Sequence, residues 1–168
     1  MRVSAKKGFM DFLYNAFSFD WKLAVIDLLR IGIAFALAVP IGWERHDSKR
    51  NLGLRTFPIV AMAACGFMLI IKNMPGANAE THARLIAGLI SGIGFIGGGA
   101  ILKEGMNVRG LATAASIWCT GAIGAAVAFQ RIEIGVILSL ITFLTLRLLT
   151  PIAESANNSS DAETDSKN

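Results

Sequence analysis

The sequence predicts an all-α, polytopic membrane protein of about five transmembrane helices with a glycine-rich third helix. Three observations carry that class. Residues 85–102, LIAGLISGIGFIGGGAIL, run eighteen positions without a charge, and Leu111–Phe129 run nineteen more. Hydrophobic residues make up 54% of the 168, and the mean hydropathy of +0.55 is high for a soluble domain. Within the first run stand Gly88, Gly92, Gly94, Gly97, Gly98 and Gly99. In water each would cost a helix roughly 1 kcal/mol against alanine. In a bilayer the backbone must satisfy its own hydrogen bonds, so the run stays helical, and glycine then admits a close neighbour.

The elements follow in order. In residues 1–20, Phe9, Phe12, Leu13, Ala16 and Phe17 share one helical face with Asp11 and Asn15 opposite, an amphipathic segment for the membrane interface. Asp20 reads as the cap of a first span, Trp21–Trp43, with Trp21 as interfacial anchor. Asp27 and Arg30 interrupt this stretch and it starts late, which argues against a cleaved signal peptide despite Ala36-Leu37-Ala38. The second span, Phe57–Ile71, follows Thr56 as expected cap, with Pro58 in its first turn, where a missing N–H does no harm. The glycine-rich third and uncharged fourth spans come next. The fifth, Ile134–Thr150, holds only Arg147, and Pro151 reads as its stop. Residues 21–151 thus form the transmembrane domain, and the polar tail, 152–168, is expected to be disordered.

The net charge of +4 does not point to nucleic acid, because the basic residues sit in short loops beside apolar runs and alternate with no aromatics. Five spans leave seven basic residues on each side, but the densest cluster, at 45–55, orients that side to the cytoplasm, with the N-terminus outside and the C-terminus inside. Cys65 and Cys119 lie in apolar runs and read as buried small side chains. His46 and His82 lack ligand-spaced partners and no nucleophile–base set is visible, so no enzyme and no resident cofactor are expected.

Two regions carry candidate chemistry. In GWERHDSKRNLGLRTF, from Gly42 to Phe57, Glu44 and Arg45 leave the first span where Arg55 enters the second. Alternating directions bring Arg109 to the same level, so Glu44, Arg45, Arg55 and Arg109 are expected to form a charged cluster with positive charge left over, suited to an anionic partner or headgroup. In the fourth span Thr113, Ser116, Thr120 and Gly124 form one face of small and hydroxyl residues. This face either packs on the glycines of the third span, making those two helices the closest pair and Gly92→Leu an overpacking change, or supplies oxygens beside a helix unwound at Gly97-Gly98-Gly99. Gly53-Leu54-Arg55-Thr56 and Gly110-Leu111-Ala112-Thr113 echo one another at the starts of spans two and four.

The ordered set GWER–GLRT, SGIGFIGGGAIL and VRGLATAASIW, over about Leu28 to Leu149, resembles the MgtC/SapB family of bacterial inner-membrane proteins. The family pattern is met by Glu44, Arg45, Gly53, Leu54, Arg55, Thr56, Gly92, Gly94, Gly97, Gly99, Arg109, Gly110, Thr113 and Ala114. His46 stands where an acidic residue is usual, Phe57-Pro58 follow Thr56, and Ala112 replaces a threonine. Larger members carry a soluble C-terminal domain, so the short form is expected. The resemblance implies a multi-pass inner-membrane protein of magnesium homeostasis, with Mg2+ as substrate or as signal. Magnesium prefers carboxylates and water in octahedral geometry, and Asp27, with Arg30 three residues on, is the one carboxylate inside a span. Two readings therefore stand: magnesium transport, which five spans would support only in a homodimer or larger oligomer, and a non-transporting protein that modulates another membrane complex through its small-residue groove.

Overall fold

The computed structural model describes residues 20–45, 53–76, 78–104 and 107–165. The amphipathic segment expected before Asp20 lies outside these residues, as do His46, Lys49 and Arg50. Among the described residues five helices follow one another: α1 (Trp21–Glu44), α2 (Thr56–Lys72), α3 (Ala79–Gly99), α4 (Leu111–Ala128) and α5 (Ile132–Asp165). A short antiparallel ribbon, β1 (Leu102–Glu104) with β2 (Asn107–Arg109), joins α3 to α4 in the register Leu102↔Arg109 and Glu104↔Asn107. The class is the expected one. By length and composition, α1, α4 and the first part of α5, Ile132–Leu149, can each cross a membrane, while α2 is a shorter apolar helix.

Asp20 caps α1 as expected, its carboxylate accepting from the N–H groups of Lys22 (2.9 Å) and Leu23 (3.2 Å). Trp21 and Trp43 stand exposed at its two ends. Thr56 does not cap α2. Arg55 holds the cap position without a side-chain bond, and the Gly53 carbonyl takes the Phe57 N–H at 3.4 Å. Gly53 is fixed by α1: a Cβ on Gly42 would stand 3.0 Å from its carbonyl oxygen. Pro58 lies in the first turn, and is buried.

α3 starts six residues earlier than the apolar run. Asn78 caps it through Thr81 N–H (2.8 Å), and Glu80 in its first turn favours the positive end of the helix dipole. Hydropathy misses this turn because its residues are polar, although they are good helix formers. The helix does not unwind at the triple glycine. It ends there, with the Gly97 and Gly98 carbonyls accepting from Ala100 N–H (3.0 Å) and Ile101 N–H (3.1 Å). Gly110 (φ +91) starts α4 hard against the Ala100 carbonyl, where no Cβ fits. A Schellman turn closes α4, with Gln130 N–H on Val127 O (3.0 Å), Arg131 N–H on Ala126 O (2.9 Å), and Gln130 left-handed at φ 63. α5 carries on through Pro151, where the sequence reading places a stop, and runs to Asp165 across the segment expected to be a disordered tail. Ala153, Glu154 and Ala156 are strong helix formers, which accounts for continuation past the proline.

α4 lies at the centre, burying Ser116, Ile117, Thr120, Gly121, Ile123, Gly124, Val127 and Ala128. One core layer gathers Ala34, Ala38, Ala61, Cys65, Met68 and Val127; the other gathers Ile41, Phe57, Ile93, Ile117, Ile123 and Leu146. The closest pair is α2 with α4, not the third and fourth helices. A Cβ on Gly124 would collide with the Ala61 carbonyl and stand 3.0 Å from both Ala64 Cβ and Cys65 N. The small residues that matter for close approach therefore sit on α4, and they receive α2.

Candidate functional site

The glycines of α3 divide by position. Gly97 meets α4, where its Cβ would lie 3.1 Å from the Ala114 carbonyl oxygen. Gly88, Gly92, Gly94, Gly98 and Gly99 have nothing within 4 Å of a Cβ. The glycine face that the sequence reading packs onto α4 is thus mostly open. Higher on the same pair, the Ile93 side chain fills the space in front of Gly121.

Two hydroxyls of the polar face of α4 bond their own helix. Ser116 Oγ donates to Ala112 O and Thr120 Oγ1 to Ser116 O, both at 2.7 Å, four residues back on the same helix. Both residues are buried and Thr113 is half-buried. With α3 helical through Gly99, its backbone carbonyls stay in the helix and do not turn toward the α4 hydroxyls as a broken-helix site requires. Among the described residues no group of three or more His, Cys, Asp or Glu side chains could hold a metal ion.

Glu44, Arg45, Arg55 and Arg109 stand at helix and strand ends. Glu44 closes α1, Arg45 is its C-cap, Arg55 heads α2, and Arg109 ends β2 just before α4. Arg55 and Arg109 are exposed, whereas the Nε of Arg45 is buried. Glu44, with a side chain only 21% exposed, takes Arg147 Nη1 of α5 at 3.3 Å. The sequence reading leaves Arg147 out of this cluster. Its signal was there: it is the lone charge of the fifth span and falls level with the exit of the first.

Two further polar contacts lie inside the bundle. Asp27 and Arg30 pair at 3.1 Å on α1, as their spacing predicts. Beside them a crevice of about 430 Å³ is lined by Asp27, Leu69, Asn73 and Pro75. Ser139 Oγ of α5 donates to Leu37 O of α1 at 2.6 Å. That bond falls beside Pro40, whose missing N–H leaves the Ala36 carbonyl of the same turn without its helical donor. No sequence pattern marks Ser139, because a lone serine in an apolar helix has the same spacing whether it faces lipid or a neighbour.

A family model described as the MgtC family matches residues 31–155. An uncharacterized protein of Synechocystis is 38% identical over 126 residues, covering 73% of this chain and 53% of its own length. Protein MgtC of Brucella abortus is 37% identical over 134 residues, covering 80% of this chain and 56% of its own. Protein MgtC of Salmonella typhimurium is 44% identical over 97 residues, 58% of this chain and 41% of its own. The chain spans about half the length of these relatives. No solved structure matches.

Proposed function

The chain belongs to the MgtC family of membrane proteins, and from that premise we propose that it is a multi-pass inner-membrane protein of magnesium homeostasis that acts by modulating another membrane complex, not by carrying the ion. One observation supports this most: α3 stays helical through its glycines, its last carbonyls at Gly97 and Gly98 accepting from Ala100 N–H and Ile101 N–H. An ion that surrenders water reluctantly needs a preformed set of oxygens, and a continuous helix keeps its carbonyls in its own hydrogen bonds. The partner surface is the end that carries Glu44, Arg45, Arg55, Arg109 and Arg147. Arginine forks there suit an anionic partner better than a cation, which would have to pass them. The basic cluster at 45–55 orients this end to the cytoplasm. The protein has no catalytic role in this scheme.

The experiment is purified protein in liposomes loaded with a magnesium-sensitive dye, beside growth at low magnesium. The expected outcome is no flux above empty liposomes, with growth support lost in Arg55→Gln at unchanged protein level. Flux that rises with protein and disappears in Arg55→Gln would establish transport and overturn the proposal.

A further inference from the structure

Between α2 and α3 lies an open groove of about 630 Å³. Ile59, Phe67 and Ile70 form its α2 wall, and Leu85, Gly88 and Gly92 line it from α3. Phe67 and Ile70 are each more than half exposed, at 56% and 64%, and open space faces both glycines. Arg84 is the single charged residue among those lining the groove. It immediately precedes the uncharged run that begins at Leu85.

We propose that this groove holds one anionic phospholipid, its acyl chains lying along Gly88 and Gly92 and its headgroup phosphate at Arg84. The position of the charge commits the site to a lipid, because Arg84 stands at the boundary between polar and apolar residues, where headgroups lie. Lys72 ends α2 at the same end of the bundle and adds positive charge. Arg84 pairs with Glu80 at 2.6 Å, but both side chains are at least 70% exposed. Such an exposed pair is weak and leaves most of the five guanidinium N–H donors to a phosphate.

The dimensions point the same way. From Arg84 to Ile96 the groove runs about 18 Å along α3, and from Ile59 to Ile71 about 18 Å along α2, at 1.5 Å per residue. A hydrocarbon core is about 30 Å thick, so the groove is long enough for the chains of one leaflet and too short for a spanning partner.

The test uses full-length protein in detergent, titrated with phosphatidylglycerol, with phosphatidylcholine of identical chains, or with inorganic phosphate, and read by native mass spectrometry. One phosphatidylglycerol should be retained at least tenfold more tightly than phosphatidylcholine, and inorganic phosphate should not be retained. Gly88→Leu and Gly92→Leu should abolish retention while melting like wild type, because each side chain enters open space. Arg84→Gln should lower phosphatidylglycerol to the level of phosphatidylcholine, and this variant decides the matter even if a leucine variant misfolds. Equal retention of the two lipids by wild type would overturn the proposal, as would undiminished preference in Arg84→Gln. A dimer that Gly92→Leu converts to monomer without loss of lipid would assign the groove to a second copy instead.

Discussion

Replacing Gly124 by alanine adds a single methyl group where α2 and α4 are closest. The new carbon would collide with the Ala61 carbonyl and stand 3.0 Å from Ala64 Cβ and Cys65 N. Two of these three obstacles are backbone atoms, which cannot rotate away. Opening the two 3.0 Å contacts to about 3.5–4.0 Å requires the helices to part by about 0.5–1 Å, and clearing the Ala61 carbonyl requires more. A gap of that size forfeits a quarter to a half of each dispersion contact along the seam, at about 0.1–0.2 kcal/mol per atom pair. Twenty such pairs give on the order of 1 kcal/mol, and the strain of whatever overlap remains adds a further 1–2 kcal/mol or so. The expected loss is therefore about 2–3 kcal/mol. Two internal controls scale it. Gly121→Ala meets only the Ile93 side chain, which can change rotamer, and should cost about 1 kcal/mol. Gly92→Ala meets nothing within 4 Å and should be neutral or slightly stabilising. Unfolding in mixed micelles of dodecyl maltoside and SDS, followed by tryptophan fluorescence, ranks the three. If Gly124→Ala unfolds with wild type, or Gly92→Ala is the worst of the three, the placement of α2 against α4 is wrong.

Ser139→Ala should destabilise by about 1 kcal/mol in the same assay, because it removes the hydroxyl bonded to Leu37 O beside Pro40, while Ser91→Ala on the exposed face of α3 should not. Gln130→Gly should stabilise by up to about 1 kcal/mol, relieving a left-handed residue in the Schellman turn; a lower midpoint would refute that turn. In a double-mutant cycle, Glu44→Gln with Arg147→Gln should show a coupling of no more than about 1 kcal/mol, since the arginine is 64% exposed; additive losses would mean the two groups do not meet in solution.

The sequence made the helices legible wherever apolar length or a cap spoke for itself: Asp20 and Pro58 occupy the roles that their chemistry predicts. It was silent on which face of a helix meets which. Six glycines on α3 invite the inference of a tight neighbour, yet only Gly97 has backbone against it. Glycine leaves no side-chain pattern by which a packed position differs from an open one, and in lipid an apolar flank gives no direction either. The ribbon at 102–109 was also hidden, because each strand is only three residues long. At the charged end, counting levels along alternating spans sets Glu44 beside Arg45, Arg55 and Arg109, whereas the structure pairs it with Arg147. The choice of Arg147 as its partner depends on which helices are neighbours, and that is a property of packing.

The unequal lengths of α1 and α2 bear on how a charge survives inside a span. At 1.5 Å per residue, α1 rises about 33 Å between Trp21 and Trp43, whereas the 17 residues of α2 reach only about 25 Å. Gly42 against Gly53 locks the two flush at one end, so the whole shortfall of about 8 Å emerges at the other. Asp27 lies six residues, or about 9 Å, from the start of α1, level with the recessed end of its neighbour. Asn73, the C-cap of α2, lines the crevice with Asp27. Hydrophobic mismatch within a single hairpin thus draws the water boundary down to the ion pair, and Asp27 and Arg30 are spared the cost of full dehydration by the shortness of the helix beside them.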